Sequence, residues 1–92
     1  LFIPNSFSPN GDGVNDLFVI SGIEAFPDHR LTIYNRWEQK VFETKNYENN
    51  WDGSPNMSYG NNSKLLPEGV YFYFFEEREG GKLHKGFIYI KR

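Results

Sequence analysis

Cysteine is absent from the 92 residues, so the chain has neither a disulfide framework nor a zinc-thiolate site. Histidine occurs twice, at His29 and His84, and neither lies beside a serine in a recognisable nucleophile motif. Charge of one sign is also lacking. Ten basic and twelve acidic residues are intermixed for a net charge of −2, and nucleic-acid binding would require a clustered positive surface. No apolar run approaches the ~20 residues that a membrane-spanning helix needs. The first residue is Leu1, with no basic, apolar, small-residue signal peptide after it, so the expectation is a single domain over residues 1–92 excised from something longer.

What is present is aromatic. Nine Phe, six Tyr and two Trp can each bury about 150–250 Å², which compensates for the modest core of a small domain. Gly69 to Ile90 reads as a long β-hairpin closing at Gly80-Gly81. Counting outward pairs Glu77 with His84, Glu76 with Lys85, Phe74 with Phe87 and Tyr71 with Ile90, and puts the Phe75 ring over Gly86. Both faces of the hairpin base are apolar, which predicts a central place in a sheet.

Short strands are expected at Phe2–Pro4 and Leu17–Ser21. Arg30–Asn35 alternates Leu31 and Ile33 with Thr32 and Tyr34, and with Lys40–Thr44 it forms a second hairpin through Arg36-Trp37-Glu38-Gln39. Ser54–Ser63 is read as an exposed excursion. No segment of ten or more residues holds a helical apolar period. The fold class is therefore all-β, an immunoglobulin-like antiparallel β-sandwich of about seven strands.

The loop Asn5–Asp16 places Ser8, Asn10 and Asp12 at alternate positions with Gly13 next, as at the opening of an EF-hand-type calcium loop. Asp16 would add a carboxylate. Val19 stands where the bidentate glutamate belongs, and a loop capped by its own Asx side chains is an equal alternative. The two readings, structural calcium on Ser8, Asn10, Asp12 and Asp16 or a self-capped turn, both stand. Glu76 and Glu77 point to opposite faces of a strand, which speaks against a paired-carboxylate enzyme. Trp51, before Asp52-Gly53, reads as a packed anchor. Trp37 reads equally well as an end plug or as an exposed ring able to stack on a sugar or a protein partner.

Several segments in order resemble a known family: Phe7-Ser8-Pro9-Asn10-Gly11-Asp12-Gly13-Val14-Asn15-Asp16 with Phe18, Leu31-Thr32-Ile33-Tyr34-Asn35-Arg36-Trp37, Trp51-Asp52-Gly53, Leu66-Pro67-Glu68-Gly69-Val70-Tyr71 and Lys85-Gly86-Phe87-Ile88-Tyr89-Ile90. They are similar to the gliding motility-associated C-terminal domain, the type B sorting domain of the type IX secretion system of Bacteroidota. Glu38 stands where that family usually has Gly. The resemblance implies a non-catalytic C-terminal sorting signal. Its cargo would cross the periplasm and outer membrane to be secreted or kept at the cell surface, after recognition by the type IX machinery through a PorP/SprF-type outer-membrane adaptor. Trp37, Lys85, Phe87 and Tyr89 are the expected partner-binding residues. The alternative function is a small carbohydrate-binding or adhesion module with structural calcium.

Overall fold

The computed structural model describes residues 1–11, 13, 15–56 and 66–92. Asp12, Val14 and most of the expected excursion through Ser54–Ser63 lie outside them.

Five strands form one sheet: β1 (Ser6–Phe7), β2 (Arg30–Tyr34), β3 (Lys40–Lys45), β4 (Gly69–Glu76) and β5 (Leu83–Ile90), in the order β1-β5-β4-β2-β3. All neighbours are antiparallel except β1, which runs parallel to β5. The only described helix is one 3-10 turn, Ile23–Ala25. The molecule is thus all-β. Opposite the sheet, however, the expected strands at Phe2–Pro4 and Leu17–Ser21 are represented by two isolated bridges, Phe2 to Ser21 and Phe18 to Trp51.

A side chain explains why a ladder does not form there. Asn49 accepts from the Ile20 N–H (2.9 Å) and donates to the Ile20 carbonyl (3.4 Å), satisfying both backbone groups as a neighbouring strand would. Asn56 repeats the device on the free edge of β3. Its amide accepts from the Glu43 N–H (3.0 Å) and donates to the Glu43 carbonyl (2.9 Å), while its own N–H reaches the Val41 carbonyl (3.0 Å).

The β4–β5 hairpin forms, but two residues out of the expected register. Tyr71 faces Ile88, Phe72 faces Phe87, Tyr73 faces Gly86 and Phe74 faces Lys85. The reversal is a turn from Arg78 to Gly81, closed by the Gly81 N–H on the Arg78 carbonyl (2.8 Å). Gly80 occupies the third position with φ +77°, where a residue free to adopt positive φ is needed. Gly81 lies outside the turn's centre. A shift of two preserves the face of every side chain, since side chains alternate with period two. Consequently a ring still covers Gly86, but it belongs to Tyr73: a Cβ at residue 86 would meet its hydroxyl at 2.9 Å. Glu77 and His84 still meet, now diagonally, at 2.7 Å.

The core lies on one side of the sheet. Phe7, Leu31, Ile33, Tyr71, Phe75, Ile88 and Ile90 of the sheet pack against Phe18, Ile20, Tyr47, Trp51 and Leu66 from the irregular layer. Within this core His29 is 3 % exposed and structural. Its Nε2 accepts from the Tyr47 N–H (2.7 Å), which assigns the ring proton to Nδ1 and its bond to the Phe26 carbonyl (2.6 Å). The imidazole also stacks on Phe75 at 4.9 Å.

Tyr47 bridges the two layers, donating from its hydroxyl to the Phe18 carbonyl and accepting from the Trp51 N–H (2.8 Å). Burial pushes its pKa far above the usual phenol range; the Trp51 bond works against that shift and the charge of Asp52 adds to it. Because the folded value is raised, the associated stability is complete below about pH 10 and is lost at higher pH, as the unfolded chain ionises first. In urea titrations, Tyr47→Phe should be about 1–3 kcal/mol less stable at neutral pH. It should also lose less stability than the parent between pH 9 and 11; equal losses would show that Tyr47 does not govern the alkaline limb.

In the β2–β3 turn, Asn35 accepts from the N–H groups of Trp37 and Gln39, both at 2.9 Å. Glu38 adopts φ +64° there, the left-handed conformation that costs a non-glycine residue about 1–2 kcal/mol. Glu38→Gly is therefore expected to raise the urea midpoint, by about 1 kcal/mol in stability. An unchanged or lower midpoint would show that the Glu38 side chain offsets the strain.

Candidate recognition surface

Among the described residues, no element covers the second face of the sheet. Alternation sends Val70, Phe72 and Phe74 of β4 and Leu83, Lys85, Phe87 and Tyr89 of β5 away from the core. Phe72 and Phe87, a directly opposed pair, remain 40 % and 48 % exposed. Tyr34 extends the surface onto β2 and meets Phe74 edge-on at 5.4 Å. Together Tyr34, Phe72, Phe74 and Phe87 floor an open groove of about 780 Å³ rimmed by Arg36 and Lys85. Such a contiguous aromatic surface is what a protein-docking site provides: large rings at little conformational cost, with cations at the margin.

Of the four residues expected to bind a partner, Lys85, Phe87 and Tyr89 share this face of β5. Tyr89 is half-buried, and its hydroxyl donates to Glu68 (3.0 Å). That bond is the main cause raising the Tyr89 pKa. Glu68 also accepts from the Arg92 N–H (3.0 Å), and the two bonds, Arg92's first, lower its own pKa. Trp37 is 69 % exposed in the β2–β3 turn. Its ring carries the Arg36 guanidinium at 4.8 Å, and the groove rim is made by Arg36 and Glu38 on either side of it.

Tyr34, Phe72 and Phe74 were missed as candidates although their signal was in the sequence. Both hairpin faces are apolar in the sequence, and the structure puts Tyr71, Phe75, Ile88 and Ile90 in the core and leaves Phe72, Phe74 and Phe87 open. Arg92 was also overlooked. It reaches the Leu66 carbonyl with Nε (2.8 Å), the Gly53 carbonyl (3.4 Å) and the Pro9 carbonyl (3.5 Å), fastening three loops beside the end of β5.

The N-terminal loop is organised by Asp16. One carboxylate oxygen accepts from the Gly11 N–H (3.0 Å) and the other from the Gly13 N–H (2.7 Å). Ser8 donates its N–H to the Asn15 carbonyl (2.8 Å), and the Asn10 N–H returns to the Ser8 carbonyl (2.8 Å). Asp12 lies outside the described residues. Among those described, no three His, Asp or Glu side chains converge as a metal cluster.

Compared with known proteins, residues 1–90 match the family model described as the CHU_C type IX secretion signal domain. No curated protein and no solved structure matches the chain.

Proposed function

Since this chain belongs to the type IX secretion signal domain family, a sorting signal for export rather than an enzyme family, we propose that the signal is read as a folded surface, the outer aromatic face of the sheet. The type IX machinery is the partner that the family implies. The finer reading is that a PorP/SprF-type outer-membrane adaptor docks on Phe72, Phe74 and Phe87, with Lys85, Tyr89 and Trp37 at the margins. The observation that carries it is the groove itself: rings that the core does not require stay contiguous and open beside two cations. The second layer, with bridges in place of a ladder, is read as a reduced immunoglobulin-like sandwich.

Residues 1–92 fused to a fluorescent reporter with a periplasmic signal test this function. Surface or medium fluorescence is expected in type IX-competent cells and not in a secretion-defective mutant. A reporter that stays periplasmic in both would remove sufficiency from this segment.

Calcium in the N-terminal loop is proposed as an addition to the Asp16 cap, using the carboxylate lone pairs that Gly11 and Gly13 leave, with Ser8, Asn10 and Asp12 nearby in sequence. A structural ion predicts a melting point that falls on chelation and returns with calcium. A self-capped loop predicts no change.

A further inference from the structure

The geometry points to a specific mode of engagement, resting on the sorting reading above: a partner adds an extended strand, parallel to β5, along the edge that β1 leaves open. On one side β5 pairs with β4 along its whole length; on the other it meets β1 only at Tyr89 and Ile90. The direction of its backbone groups follows from two bonds. The N–H groups of Tyr89 and Lys91 donate towards the β1 side, to the Asn5 and Phe7 carbonyls, whereas the Lys82 carbonyl faces the β4 side and accepts from the Glu77 N–H. Backbone groups alternate along a strand. Leu83, Lys85 and Phe87 therefore aim N–H and C=O into the lane of β1, where no described residue pairs with them.

The lane already has a direction and a register. β1 occupies its last two places, running parallel to β5, and a partner segment of about five residues fills the places before it. Its chemistry follows from the side chains standing beside it. Leu83 and Phe87 are 46 % and 48 % exposed and favour apolar neighbours on that face. Between them Lys85 has no ion pair among the described residues, so the complementary residue is acidic. A second copy of this chain fits poorly. Antiparallel pairing that uses the whole open edge sets Lys85 against its own copy, and a lysine in that place blunts self-association. The occupant is thus a strand from another protein, apolar at alternate positions with an acidic residue at the level of Lys85.

Amide hydrogen exchange on residues 1–92 tests the edge directly. The Leu83, Lys85 and Phe87 amides should exchange about 100-fold faster than those of His84, Gly86 and Ile88; equal protection would mean a covered edge and overturn the proposal. Lys85→Pro removes an outward N–H at a position where an edge strand tolerates proline, and Lys85→Glu inverts the charge without touching the backbone. Both variants should melt near the parent yet lower reporter export, each by about tenfold. Export of both at the parent level would overturn strand addition while leaving the sorting function intact. A parent reporter that fails to leave competent cells would instead remove the sorting reading and the proposal with it. A parent dimer in sedimentation velocity that Lys85→Glu does not dissociate would assign the edge to a second copy and overturn the foreign strand.

Discussion

Replacing Trp51 with alanine is expected to destabilise the domain by about 3–5 kcal/mol. That is a large share of the roughly 5–15 kcal/mol that holds small domains together. The indole is 2 % exposed and sits among Phe7 (5.3 Å), Phe18 (6.0 Å) and Phe42 (5.3 Å). Its Nε1 donates to the Ser54 carbonyl (2.8 Å), and its backbone forms the bridge to Phe18. Truncation therefore leaves a cavity where sheet and irregular layer meet, and no regular ladder opposite the sheet compensates. The measurement is urea unfolding followed by circular dichroism. Trp37→Ala, at 69 % exposure, is the control and should change stability by no more than about 0.5 kcal/mol. Similar losses for both variants would mean that Trp51 does not anchor the two layers.

The largest functional effect is expected from the double replacement Phe72→Ser and Phe87→Ser. These rings face one another across β4 and β5 on the outer side of the sheet. Anchors at the centre of a docking surface account for about 2 kcal/mol or more each, so export of the reporter should fall by tenfold or more. Their loss should cost far less stability than that of Trp51, because both rings are already substantially exposed. A thermal melt separates the two mechanisms. A folded variant retained in the periplasm supports recognition of this face, an unfolded one reports only on stability, and export at the parent level would eliminate the face as the signal.

The hairpins were legible in the sequence because alternation survives small errors of register. Leu31, Ile33, Tyr71 and Phe75 are core residues, as their period-two placement predicts. The exact pairing was not legible. Two adjacent glycines mark a reversal without saying which one carries the positive φ, and Gly80 at the third turn position moves every partner by two. Charge pairing could not arbitrate: Glu77 reaches His84 in the observed register as it would have in the expected one. The layer opposite the sheet was harder to read because Asn49 and Asn56 perform the work of strand neighbours. An asparagine in a polar stretch carries no sign that its amide will satisfy a backbone 29 or 13 residues away.

The outer face of the sheet was half legible. Lys85, Phe87 and Tyr89 follow from their place on the closing strand, but the β4 and β2 rings beside them required knowing which face the core would take. Glu38 illustrates the opposite case. Its departure from the glycine of similar sequences marked the turn, and the structure finds the left-handed conformation there, held by the Asn35 side chain.

The asymmetry between β3, at one edge of the sheet, and the part of β5 that β1 leaves open has a consequence for crowding. With Asn56 closing β3 and β5 open, an edge-to-edge contact between β5 of one molecule and β3 of the next has no receptive second half. Head-to-tail contacts of that kind propagate without limit and produce fibres. A module with one open and one closed edge is monovalent in strand pairing. It can be extended once and then stops, so copies held at high local concentration do not thread into a filament.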